Sequence, residues 1–275
     1  MNPAIVRGDP RLLDGYPRFA RLLPELELVQ GRHLLRFART AQDLDRVLRL
    51  RFEVFNRELG EGLAESWHTR RDFEDLDLVC HHLMVEDRAT GELAGTYRLQ
   101  TGEMAKAALG FYAAREFELE DVPAFVRAQS VELGRACIAK SQRNGRVLLA
   151  LWRGIAEYLR WNGQRYLFGC CSLASRDPAD GWTLHAELAR RGALHPQLAL
   201  APRAALVCAR ETVSSPARAP VAVPLLDMYL RVGARVISAP ALDRAFGTID
   251  FLVLLDVEDL PDGAIGDAIR GAPPA

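Results

Sequence analysis

Residues 130–139 read SVELGRACIA, and they are followed by KSQRNGR (140–146) and VLLALWRGIAEYLRW (147–161). The first run is a strand candidate. The last repeats apolar residues at helical spacing and stops at Asn162–Gly163, where glycine adopts the left-handed backbone that ends helices. Strand, short basic loop and long helix in that order make a unit whose loop lies at a helix N-terminus. Just beyond, YLFGCCSL (166–173) has the unbroken apolar character of a fully buried strand, and DPADGWTLHAELARRGA (177–193) opens with Asp-Pro and continues as a second helix.

Working back towards the N-terminus, HHLMVED (81–87) and ELAGTYRLQ (92–100) flank a turn at 88–91 and predict a hairpin. Residues 60–79 are acidic and irregular. From 43 to 59, Leu44, Val47, Leu48, Leu50, Val54 and Phe55 recur at helical spacing behind possible caps at Thr40 and Asp43. HLLRFAR (33–39) is a short strand candidate, and residues 1–30 form an N-terminal arm. On the C-terminal side, residues 195–223 are rich in Pro, Ala and Arg, with one strand-like piece, ALVCARETV. A short helix (LLDMYLRVG), a strand (ARVISA) and a last apolar strand (TIDFLVLLD) follow. This order is a mixed α/β (α+β) arrangement without the regular alternation of a doubly wound sheet. No GxGxxG follows an opening strand, so a dinucleotide fold is not expected. The boundaries read as an arm (1–30), one domain (31–258) and a tail (259–275).

The chain has 275 residues and a formal net charge of −1, which argues against a dedicated nucleic-acid binder. No apolar run reaches the ~18–20 residues that span a bilayer. The N-terminal MNPAIVRGDPRLLDGYPRF lacks a signal-peptide core, so a cytoplasmic protein is expected. The five cysteines show no framework and read as reduced, packed thiols.

Several stretches taken together carry a resemblance. RFEVFNRE (51–58), DLDLVCHHLMVED (75–87), GTYRLQ (95–100), FYAAREFEL (111–119), VELGRACI (131–138) and the tail 224–255 resemble the ornithine–acyl carrier protein N-acyltransferases, over about residues 33–256. These enzymes make the lyso form of bacterial ornithine lipids on the GNAT fold, whose central strands splay apart around the acyl thioester. The acyl-homoserine-lactone synthases are similar in sharing an Arg-x-x-x-Phe, a Trp, an acidic cluster and a Glu–Arg strand. The matching positions here are Arg51 and Phe55, Trp67, the 74–77 cluster, and Glu132 with Arg135.

The resemblance implies amide formation from a thioester, which needs a deprotonated amine, a polarised carbonyl and aligned reactants, and requires no metal or redox cofactor. Glu132 is the candidate general base, directly or through water. Regular alternation separates Glu132 from Arg135, and a bulge would change that. A backbone N–H at Cys137, Ile138 or Ala139 is expected to hold the thioester oxygen, beside the phosphopantetheine arm of an acyl carrier protein. Gln142, Arg143, Gly145 and Arg146 form the loop expected to meet its phosphate. GNAT enzymes often carry Gln/Arg-x-x-Gly-x-Gly/Ala there; this chain has Val147 in place of the final small residue, which weakens a coenzyme A reading. Asp75 and Asp77 are expected to orient the distal amine of a cationic amino acid such as ornithine, and Arg51 or Arg98 its carboxylate. Cys137 reads as a structural thiol. The Asp77, Cys80, His81, His82 group lacks a second ligand pair, so no metal is expected, and His82 reads as orienting the acidic loop. Phe111, Tyr112, Phe117, Phe125 and Trp152 are candidate walls of an acyl tunnel. Another amine acceptor, or a non-catalytic module that binds acyl carrier protein, fits the same pattern. Peripheral contact with the inner membrane face through a helix at LLPELELV (22–29) or the Arg-rich 202–220 is a further expectation.

Overall fold

The computed structural model describes residues 15–209 and 223–270. The chain forms two compact units, each discontinuous in sequence. One comprises 1–109, 133–164 and 262–275; the other comprises 110–132 and 165–261.

In the first unit, β1 (Glu27–Gln30), β2 (His33–Phe37), β3 (His81–Asp87) and β4 (Leu93–Thr101) form an antiparallel run in that order. Residues 133–138 of β5 (Ser130–Ile138) also belong to this unit. The helix Ala41–Arg51 begins where sequence indicates, because Thr40 and Asp43 form a reciprocal capping box. Its Leu44, Val47 and Leu48 pack on Ala38, Phe73 and Met84, each fully buried leucine contributing about 2 kcal/mol. The expected single helix over 43–59 changes character at Phe52, and Phe52–Leu59 is a π-helix. Such widened turns re-aim side chains.

The long helix Arg146–Asn162 stops at Gly163, whose φ is 59°. It packs so closely on the strands that a Cβ on Gly154 would lie 2.5 Å from the Leu83 side chain, and one on Gly95 would lie 2.7 Å from that of Val147. The expected helix at LLPELELV is absent. Glu27–Gln30 pairs instead with β2, because alternating exposure along ELVQ suits an edge strand.

In the second unit, β6 (Tyr166–Leu173) pairs antiparallel with β9 (Thr248–Asp256) along its full length, and β9 also carries the short β7 (Arg235–Val236) and β8 (Ala241–Asp243). The expected strand at 234–239 is reduced to β7. Helices Pro178–Arg190, capped by Asp177 with proline at its start, and Pro224–Arg231 match the sequence reading. Ser130, Val131 and Glu132 of β5 pair in parallel with Tyr166, Leu167 and Phe168. The paired register ends at Glu132↔Phe168 although both strands run on. Part of ALVCARETV, and most of the Arg-rich stretch beyond it, lies outside the described residues.

Candidate active site

In the first unit, the acidic turn 72–77 is tied to three arginines. Arg51, at the end of its helix, donates through Nε to Asp72 at 2.8 Å, and through Nη1 and Nη2 to Asp77 at 2.7 and 3.2 Å. Arg98 on β4 reaches Asp77 at 3.2 Å and Glu74 at 3.4 Å. Arg135 on β5 reaches Asp72 at 2.6 Å and Glu74 at 3.2 Å. Three cations therefore face three carboxylates, formally in balance. Burial alone would raise the Asp77 carboxyl. Arg51, the His82 hydrogen bond and Arg98 outweigh it and hold the group well below its ordinary range. His82, lowered by burial against the pull of Asp77, bridges Asp77 (3.2 Å) and the Tyr16 hydroxyl (3.1 Å), so it does orient the acidic turn. His81 points elsewhere, to the Tyr158 hydroxyl at 2.8 Å, as strand alternation requires.

Arg51 and Asp77 were expected to grip opposite ends of a substrate. Both are fully enclosed and paired with each other, so their geometry is that of an internal scaffold of the first unit. Arg135 has φ 53°, a left-handed backbone that costs a non-glycine residue about 1–2 kcal/mol. The strain buys a local break in alternation: Arg98 packs against Gly134, yet Arg98 and Arg135 both reach Glu74. The Arg135 guanidinium also lies 5.3 Å from the centre of the Phe55 ring. Trp67 is exposed and edges onto Phe52, and Asp75 is exposed.

The loop after β5 is engaged at several points. Ala139 donates its N–H to the Ala94 carbonyl at 2.9 Å, so that N–H is not available to a thioester oxygen. Arg143 pairs bidentately with Glu58 at 2.7 and 2.8 Å and donates Nε to the Ile138 carbonyl. Gln142 donates to Asp87. Gly145, in the left-handed region at φ 79°, starts the long helix, and the Asn144 side chain accepts from the first helical N–H, that of Arg146, at 3.1 Å. Arg146 is exposed. Burial pushes the Cys137 thiol up to about 12, and the thiol lies 3.8 Å from the Leu50 carbonyl. Cys137→Ala is therefore expected to keep acyl-transfer turnover within about threefold of wild type, because such a thiol supplies no thiolate. A folded variant with more than tenfold lower turnover would restore a chemical role for it.

In the second unit, Glu132 is 6% exposed, and both its oxygens accept backbone hydrogen bonds: Oε2 from Tyr112 N–H at 2.8 Å and Oε1 from Ala113 N–H at 2.7 Å. This clamp fixes the carboxylate between two backbone N–H groups. Phe111, just before the clamp, packs edge-on against Phe168, 4.9 Å between ring centres. Of the other expected tunnel walls, Phe117 and Trp152 are wholly buried and Phe125 is exposed. The same unit holds a group that sequence reading passed over, Glu116, Asp243 and Asp250. The signal available was Asp250, a carboxylate inside the otherwise apolar run of β9.

Residues 50–153 match the family model described as Acetyltransferase (GNAT) domain. That domain, with the relatives that follow, defines the class as an amide-forming GNAT acyltransferase. The chain is 31% identical over 248 residues to an L-ornithine N(alpha)-acyltransferase of Brucella abortus (strain 2308), covering 82% of this chain and 84% of that protein. It is 31% identical over 247 residues to one of Rhizobium meliloti (strain 1021), covering 81% and 79%. An N-acyl amino acid synthase from uncultured soil microbes aligns in structure with a TM-score of 0.46 at 11% identity, covering 83% of this chain and 92% of that one. The chain belongs to the L-ornithine N(alpha)-acyltransferase family.

Proposed function

We propose that this protein transfers a fatty acyl group, with 3-hydroxyacyl as the favoured class, from the phosphopantetheine thioester of an acyl carrier protein to the α-amine of L-ornithine, giving a lyso-ornithine lipid. Membership of the family supports the reaction, and the observation that carries the mechanism is the Glu132 carboxylate fixed by two backbone N–H groups. The α-ammonium of the acceptor gives a proton to Glu132, directly or through one water. The freed nitrogen attacks the thioester carbonyl carbon, a C–N bond forms, and the C–S bond breaks. The nitrogen sheds a second proton as it becomes the amide, and the departing carrier thiolate takes it up, so the products are an amide and a free thiol.

The start of the long helix at Gly145, with the exposed Arg146 beside it, is the candidate seat of the pantetheine phosphate. Arg51 and Asp77 act as positioning residues, holding Arg98, Arg135 and the acidic turn. Trp67, Phe55 and Asp75 are left as candidate substrate or carrier contacts. Among the described residues no helix is long and apolar enough to cross a membrane. A cytoplasmic enzyme that meets the inner membrane face as it releases an amphiphilic product is part of this reading.

Donor choice is tested with purified protein, L-ornithine, and either acylated carrier protein or the matching acyl-coenzyme A at equal concentration. The expected result is free thiol released at least tenfold faster from the carrier. Equal or faster release from coenzyme A would overturn the carrier assignment while leaving acyl transfer intact.

A further inference from the structure

Asp250 sits within TIDFLVLLD, a strand buried on both faces, where a carboxylate carries a desolvation cost that needs compensation. It has company. Glu116, which follows the turn Tyr112–Arg115, and Asp243, at the end of β8, are also buried, and one oxygen from each of the three lies within 4.8 Å of the others. Their local partners differ. Asp243 accepts N–H bonds from Ala245 (2.7 Å) and Phe246 (3.1 Å), and Asp250 lies 3.4 Å from the Thr248 hydroxyl. Glu116 is 3% exposed, yet neither of its oxygens is met by a donor at hydrogen-bonding geometry. Burial first and the Asp250 charge second push the Glu116 carboxyl well above the usual carboxylate range, and the Tyr112 hydroxyl draws it back only in part. Burial also holds Asp250 up, at about 6, with Asp243 adding to it. Three carboxylates packed together crowd like charge in a buried place, which a cation among them would relieve.

The surroundings connect this cluster to the chemistry. Cys170 on β6 is partly exposed and Ser172 is exposed, so the strand beside the group is open to solvent. Burial and then the charges of Glu116, Asp250 and Glu132 all push the Cys170 thiol up, which places the candidate base in the same neighbourhood. Tyr112 joins the two: its N–H holds Glu132, and its hydroxyl lies 3.5 Å from Asp243.

We propose that Glu116, Asp243 and Asp250 form a subsite for the side-chain ammonium of a diamino acid, leaving its α-amine to Glu132. An ammonium offers three N–H donors and no acceptor, which three converging carboxylate oxygens match. The inference rests on ornithine being the acceptor and identifies what selects it over an amino acid with an apolar side chain. Binding also releases the protons that the empty group holds.

The test uses the full-length protein and its Glu116→Gln and Asp250→Asn variants, with L-ornithine and L-2-aminopentanoate, which has the same carbon chain without the distal nitrogen. Wild type is expected to prefer ornithine. Each variant is expected to raise KM for ornithine roughly 30-fold or more, the loss typical of a buried charged contact, and to collapse the preference. The unliganded variants are expected to melt no lower than wild type, since one of three crowded like charges is gone; a merely structural role would lower the midpoint. Ornithine should raise the wild-type midpoint more at about pH 8 than at about pH 5, where it has to displace protons, and should not raise that of the variants. An ornithine KM within threefold of wild type in the folded variants overturns the subsite. So does a wild-type midpoint raised by Mg²⁺ or Ca²⁺ alone and not by ornithine. If wild type acylates no amine yet ornithine still raises its midpoint and not that of the variants, the subsite stands and the proposed reaction falls.

Discussion

Glu132→Gln is expected to lower kcat by about 10²-fold or more while changing KM for either substrate far less. Glutamine is nearly isosteric, but its NH₂ faces one of the two N–H groups that Glu132 accepts, at Tyr112 and Ala113. One opposed pair of donors costs about 1–3 kcal/mol, which lowers the melting midpoint by several degrees without unfolding the protein. The rate loss has a different origin: an amide cannot take a proton from an ammonium. The split between a modest stability change and a large kcat change identifies a base. Steady-state kinetics alongside thermal unfolding measures both. Unchanged kcat in the folded variant would leave Glu132 as a clamp for the 111–113 turn and nothing more.

Asp77→Asn is expected to be the most destabilising single change in the first unit, by about 3–5 kcal/mol, or on the order of 10 °C in midpoint. Asp77 is the shared acceptor of Arg51 and Arg98 and of His82, all buried. Removing its charge leaves Arg51 with Asp72 alone. The pH dependence follows from the sign of the shift. The folded carboxyl lies well below its ordinary value of 3.8, so its contribution is complete above that pH and is lost as pH falls through the folded value. Wild type should therefore lose stability more steeply than the variant below about pH 4. Chemical denaturation at neutral and acid pH measures this, and equal midpoints at neutral pH would contradict the scaffold role.

The strands and helices whose signals are local were legible. Thr40 with Asp43, the stop at Gly163, and the apolar runs 166–173 and 248–256 all stand where the residues alone put them. The π-helix at Phe52–Leu59 was not, because its apolar spacing is also that of an α-helix. The short β8 and the edge strand β1 carry too few residues for a periodic signal. For the site, residue types were readable and pairings were not. Arg51 and Asp77 both looked like substrate contacts because nothing local shows that a cation and an anion 26 positions apart face each other. A bulge in β5 could be named as a possibility, but the left-handed backbone at Arg135 could not, because the partners of its side chain, Asp72, Glu74 and Phe55, come from elsewhere in the chain. Glu116 and Asp250 lie still farther apart in sequence, and only the pairing of β8 with β9 and the turn after Tyr112–Arg115 bring them together.

The most direct test is product analysis by mass spectrometry after purified protein is incubated with 3-hydroxyacyl carrier protein and L-ornithine. The account predicts one new amide on the α-nitrogen, formed in step with free carrier thiol and absent when Glu132→Gln replaces wild type. Acylation on the distal nitrogen, or no amide from a folded protein that binds both substrates, would contradict it.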